Sequence, residues 1–98
     1  MPEFMLKKTD LPPGRGKVVL VGGQEVAVFC VEGDYYALRN ECPHVGGPLG
    51  EGRLEGQKIV CPWHLWAFDV RTGACDGREP AATPVRTTDL GDWVRIEL

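Results

Sequence analysis

Two short runs, Cys42-Pro43-His44 and Cys61-Pro62-Trp63-His64, constrain this chain more than any other feature. They read C-x-H, then sixteen residues, then C-x-x-H. Each run offers one thiolate and one imidazole, both competent ligands for transition metals. A fold that uses them together must bring two loops, distant in sequence, around a common centre. Proline after each cysteine removes a backbone donor and stiffens the loop, and Gly46, Gly47 and Gly50 let the chain bend tightly. The spacer carries a turn signal at Glu55-Gly56, so it is expected to fold back as a hairpin that unites the runs.

With 98 residues the chain is expected to form one domain, residues 1–98. A core this small is modest and gains from a metal site. The net charge of −3 gives no reason to expect nucleic acid or an anionic membrane surface as partner. No run of about 18 apolar residues suggests a membrane span, and no basic segment followed by an apolar stretch marks a secretory signal. The expected location is the cytoplasm, where disulfides are rare. Metal ligation is therefore the expected use of some of the four cysteines. Residues 1–4 read as an addition ahead of a native start at Met5 and stand outside the fold prediction.

Thirteen glycines and eight prolines punctuate short runs of β-branched and aromatic residues, the pattern of an all-β chain. Strands are predicted at Met5–Lys8, Lys17–Val21, Glu25–Val31, Tyr35–Arg39, Lys58–Cys61, Ala67–Val70, Thr83–Thr87 and Trp93–Glu97. Val26, Val28 and Cys30 fall on one face of their strand, Ala27, Phe29 and Val31 on the other. Both sets are apolar, so this strand is predicted to be buried on both sides. Val45–Gly50 holds too many breakers for more than a single turn. Residues 40–70 are looped and glycine-rich, whereas 5–39 and 71–98 are more regular. The expected architecture is a β-sandwich base with a small metal-binding subdomain inserted in it.

Two thiolates and two imidazoles suit either a zinc ion or an iron–sulfur centre. Zinc fingers usually show C-x₂₋₄-C then H-x₃₋₅-H, which this chain lacks. The strings around the ligands carry a closer likeness. Residues 40–49, Asn-Glu-Cys-Pro-His-Val-Gly-Gly-Pro-Leu, and 61–69, Cys-Pro-Trp-His-Leu-Trp-Ala-Phe-Asp, resemble the two cluster loops of Rieske-type ferredoxins. Residues 70–73, Val-Arg-Thr-Gly, are similar too. The resemblance implies a Rieske-like β-sandwich and one [2Fe–2S] cluster, with Cys42 and Cys61 on one iron and His44 and His64 on the other. It also implies a soluble one-electron carrier between a reductase and a terminal oxygenase, and not an enzyme by itself. The rival readings are a fixed small subunit of a nitrite-reductase-like oxidoreductase, and a zinc-stabilised interaction module.

Departures from the family pattern bear on the redox potential. High-potential relatives join the two loops by a disulfide, but the equivalent positions here are Gly47 and Trp63. Those relatives also place serine and tyrosine donors where this chain has Trp66 and Phe68. Phe68 has no donor, and the Trp66 indole N–H has a different geometry. Hydrogen bonds to sulfur raise the potential, so the expected midpoint is about −150 mV rather than about +300 mV. With two imidazoles the oxidised centre is formally neutral and the reduced one singly negative. Loss of a proton from a ligand histidine is therefore expected to lower the midpoint at alkaline pH.

Leu65 and Trp66 are expected to form an apolar collar beside His64. Cys30 reads as a buried small hydrophobe and Cys75 as a structural or surface thiol. Tyr35, Tyr36, Phe29 and Trp93 read as packing residues, and Asp69 as a structural hydrogen-bonding or solvent-facing group. No catalytic triad or paired-carboxylate arrangement is visible.

Overall fold

Alternating apolar residues and tight glycine turns build nine strands in the computed structural model, which describes residues 2–11, 14–42, 46–63, 66–75 and 81–98. The strands are β1 (Glu3–Lys7), β2 (Lys17–Val21), β3 (Gln24–Val31), β4 (Asp34–Arg39), β5 (Arg53–Glu55), β6 (Lys58–Val60), β7 (Ala67–Asp69), β8 (Pro84–Asp89) and β9 (Trp93–Glu97). Single 3-10 turns occur at Lys8–Asp10 and Leu49–Glu51. Among the described residues there is no α-helix, and no helix is long and apolar enough to cross a membrane.

Six strands form one antiparallel sheet in the order β1-β9-β8-β4-β3-β2. Its edge strands β1 and β2 lie against each other, and the Leu98 N–H donates to the Pro2 carbonyl at 3.2 Å. The rolled sheet encloses one core of Leu6, Val19, Val21, Val26, Val28, Ala37, Val94 and Ile96. The β2–β3 hairpin turns at Gly22-Gly23, with φ of 57° and 82°; such left-handed pairs match the twist of the flanking strands.

A second sheet, β5-β6-β7, is a three-stranded antiparallel meander. A second core lies between it and the outer face of β3 and β4. There Ala27, Phe29 and Leu38 meet Ile59, Phe68, Val70, Cys75 and Ala82. Thus β3 is buried on both faces as predicted, Val26 and Val28 serving one core and Ala27 and Phe29 the other. The spacer folds back as expected, through the β5–β6 hairpin.

The structure corrects several details. Glu3 and Phe4, set aside in the prediction, pair with Glu97 and Ile96 in β1–β9. Strand β5 was not foreseen. Cys30 is half-buried rather than buried, and Trp93 is 42% exposed because Val94 and Ile96 take the inward positions of β9. Phe29 is fully buried, and Tyr35 and Tyr36 pack against the two cores, as expected.

Candidate metal centre

The two cysteine loops leave different sheets. The first leaves β4 through Asn40 and returns in the 3-10 turn at Leu49–Glu51. The second leaves β6 and returns in β7. Both are closed in the same way. The Cys42 N–H donates to the Gly47 carbonyl at 2.7 Å, and the Cys61 N–H donates to the Trp66 carbonyl at 2.8 Å. Each loop is therefore a short backbone ring that begins at its cysteine and spans the position of its histidine. His44 and His64 themselves, and Leu65 of the expected collar, lie outside the described residues.

Asn40 fastens the first loop at its base. Its carbonyl accepts the Leu49 N–H at 2.8 Å, and its side-chain Oδ1 accepts the Gly50 N–H at 2.7 Å. Its own N–H donates to the Glu25 carbonyl at 3.0 Å, which ties the loop to β3. Asn40 is the one polar residue that is buried among those described, and burial is tolerable because its oxygen is paired. No local motif in the sequence marks Asn40 for this role.

Cys42 and Cys61 are 1% and 0% exposed and belong to one buried cluster with Leu49, Ile59 and Phe68. Among the described residues, which include all four cysteines, no disulfide forms. The loops also touch. A Cβ added at Gly47 would stand 3.0 Å from the Cys61 Sγ and 3.1 Å from Cγ and Cδ2 of Trp63. The bare glycine thus leaves a small cradle over a candidate ligand sulfur. Two buried thiols on adjoining loops, each loop spanning a histidine position, fit a dinuclear iron–sulfur centre with mixed sulfur and nitrogen ligation.

The surroundings are held by close backbone contacts. Gly52 lies so near β6 that a Cβ there would meet the Val60 carbonyl oxygen at 2.1 Å. Gly73 lies equally close to the Ala82 carbonyl oxygen, at 2.0 Å. These contacts pin the residue before Cys61 and the turn after β7. Asp69 serves that turn, accepting the Arg71 N–H at 2.8 Å and its guanidinium at 3.1 Å. Hydrogen bonding from Arg71 holds the Asp69 carboxyl below its ordinary value, against the opposing effect of burial. Its structural reading is borne out.

Trp66 is half-buried and packs on the second hydrophobic core, 6.5 Å from the Phe68 ring. The indole exposed near the centre is instead that of Trp63, at 64%. A cavity of about 270 Å³ opens beside Cys61, bounded by Arg15, Arg53 and Glu51. Cys75 is buried in the second core, a structural thiol. Further off, burial and the neighbouring Cys30 thiol push the Tyr35 hydroxyl above its usual range.

The chain is similar to known proteins. The profile of the Rieske [2Fe–2S] domain matches residues 2–89. The ferredoxin component of the naphthalene 1,2-dioxygenase/salicylate 5-hydroxylase systems of Ralstonia sp. is 45% identical over 89 residues, which is 90% of this chain and 80% of that one. The match to the naphthalene 1,2-dioxygenase ferredoxin component of Pseudomonas aeruginosa, 44% identical, covers 65% of this chain and 62% of that one. Among solved structures, the ferredoxin of carbazole 1,9a-dioxygenase from Nocardioides aromaticivorans IC177 superposes with a TM-score of 0.89 at 28% identity, covering 99% and 97% of the two chains. A chain from Mycobacterium tuberculosis described as an NADH-dependent nitrite reductase small subunit gives 0.88 at 20% identity, covering 98% and 95%, a likeness of fold alone.

Proposed function

The chain belongs to the Rieske [2Fe–2S] domain family, and on that premise we propose that it is a ferredoxin, passing single electrons from a reductase to a terminal oxygenase. It carries one [2Fe–2S] cluster. We assign Cys42 and Cys61 as ligands of one iron and His44 and His64 as ligands of the other. The observation that carries this assignment is the pairing of two buried cysteines on touching, identically closed loops. When bound, the cluster supplies reversible one-electron chemistry at a potential set by its mixed ligands and their surroundings.

The chain's own residues do the rest. Burial of Cys42 and Cys61 keeps water from the thiolates. The Cys42–Gly47 and Cys61–Trp66 hydrogen bonds fix the direction from which each ligand approaches. Phe68 presents no donor where one would raise the potential, so the midpoint lies toward the lower end of the family range, about −150 mV. Residues 40–70 act as the cluster-binding subdomain on a base of 5–39 and 71–98. The working place is the cytoplasm, with redox proteins as partners and neither nucleic acid nor membrane involved.

The likeness of the Ralstonia relative, a ferredoxin component of oxygenase systems, favours the carrier reading over a fixed subunit. The test is stopped-flow mixing of the dithionite-reduced protein with an oxidised Rieske-type oxygenase component, while the visible spectrum is followed. Second-order reoxidation by a protein with which it does not co-elute is the expected result. A protein that purifies only in a stable complex, or whose reoxidation is independent of oxygenase concentration, contradicts the carrier role.

A further inference from the structure

Gly47 poses a question that backbone conformation does not answer. Its neighbour Gly46 has a φ of 79°, a left-handed value that favours glycine, but Gly47 is not among the residues of positive φ. Alanine could adopt its conformation. What glycine supplies at 47 is space, and two groups occupy that space: the Cys61 sulfur, 3.0 Å from an added Cβ, and the five-membered edge of the Trp63 indole, at 3.1 Å. Trp63 has no place in either core. Yet this large, 64% exposed side chain lays part of its ring against bare backbone of the opposite loop. The sulfur beneath is completely buried, even though Trp63 and Pro62 beside it are exposed.

We propose that Trp63 is a positioning residue, whose indole, seated on the bare backbone at Gly47, latches the second ligand loop onto the first and covers the Cys61 sulfur. This rests on the ligand assignment above. Covering a sulfur has an electrical consequence. Reduction takes the ligated centre from formally neutral to singly negative, and water stabilises the charged form. Removing the latch lets water reach the sulfur, favours the reduced state and raises the midpoint. It also opens the cluster to chelators.

The experiment uses cluster-loaded wild type, Trp63→Ala, Trp63→Phe, Gly47→Ala and the Gly47→Ala/Trp63→Ala double variant. Each is titrated in a spectroelectrochemical cell, then challenged with an iron chelator while the visible bands decay. For Trp63→Ala the latch requires a more positive midpoint, with the reduction equilibrium shifted about tenfold, or about 59 mV for one electron. It also requires cluster loss about tenfold faster than wild type. Trp63→Phe keeps a ring on Gly47 and restores most of both values. Gly47→Ala displaces the indole and loses its cluster faster than wild type. The double variant loses its cluster more slowly than the product of the two single effects requires, because the indole contact can be broken only once, while the Cβ added by Gly47→Ala stands against the Cys61 sulfur in the single and the double variant alike.

A Trp63→Ala protein with wild-type midpoint and decay rate overturns the latch, as does full additivity in the double variant. If Trp63→Ala does not fold, Trp63→Leu, which keeps apolar bulk without a flat ring, takes its place with the same expected direction, and a wild-type midpoint and decay rate there overturn the latch. A wild-type protein that binds no iron or sulfide refutes the ligand assignment and the latch with it. A loaded wild type with an unmoved Trp63→Ala refutes the latch alone.

Discussion

Gly52→Ala is a sharp probe of how the second cysteine is held. Gly52 has φ −77° and ψ −174°, extended backbone that alanine adopts freely. The whole cost is therefore steric. The new Cβ would stand 2.1 Å from the Val60 carbonyl oxygen, 3.1 Å from its carbon and 3.2 Å from the Leu49 oxygen. Restoring ordinary contact near 3.4 Å requires an opening of about 1.3 Å. Val60 cannot yield cheaply, because it pairs with Arg53 on one side and Ala67 on the other. Overpacking costs about 1–3 kcal/mol, and a backbone obstruction inside a three-stranded ladder belongs near 3 kcal/mol. For a chain of this size that is a fall in Tm of about 12 °C or more. Gly56→Ala is the control. Its φ of 63° is left-handed but nothing lies within 4 Å of an added Cβ, so the penalty is conformational, about 1 kcal/mol. Thermal unfolding of the loaded protein by far-UV circular dichroism, with visible absorbance recorded alongside, measures both. Gly52→Ala is expected to lose colour early, because Val60 precedes Cys61. The reasoning fails if Gly52→Ala melts within about 2 °C of wild type, or if Gly56→Ala is the more damaging change.

Asn40→Ala leaves the buried Gly50 N–H without its acceptor and is expected to cost about 1–3 kcal/mol in urea unfolding; Asn40→Asp, which keeps an acceptor oxygen there, should be milder. Asp69 has its carboxyl held below the ordinary range by Arg71, so its stabilisation is present above the unfolded value, about 3.9, and is lost as pH falls through the lower folded one. Denaturation curves should show wild type more stable than Asp69→Asn at pH 7, with the gap closing on acidification; a gap that widens below pH 4 contradicts the sign. His44→Ala and His64→Ala each remove one proposed ligand, and neither variant should hold stoichiometric iron and sulfide after reconstitution; intact visible bands in both refute the assignment.

The parts of the fold visible in the sequence were those written as local pattern. The unbroken apolar run of β3 announced a strand buried on both faces, and two separate cores explain why. The Glu55-Gly56 turn signal marked where the spacer folds back. Strand β5 escaped because Arg53-Leu54-Glu55 offers one apolar residue between two charged ones, and its place is set by pairing with β6. Trp93 was misjudged by identity rather than period: Val94 and Ile96 alternate inward, which turns the larger ring out. The pairing of the two buried cysteines was legible from spacing and family likeness. The Gly52 and Gly73 contacts were not, since each is an approach between segments that share no sequence pattern. Asn40 was hidden for the same reason: its partner, the Gly50 N–H, lies ten residues away across a loop.

The central claim is that two cysteines and two histidines hold one two-iron centre. Pulsed EPR on the dithionite-reduced protein, with iron and acid-labile sulfide assayed on the same sample, tests it most directly. The account predicts two irons and two sulfides per chain, a single unpaired electron, and coupling to two imidazole nitrogens that disappears when the histidines are replaced. A colourless protein with one zinc per chain, or a reduced centre without nitrogen coupling, contradicts it.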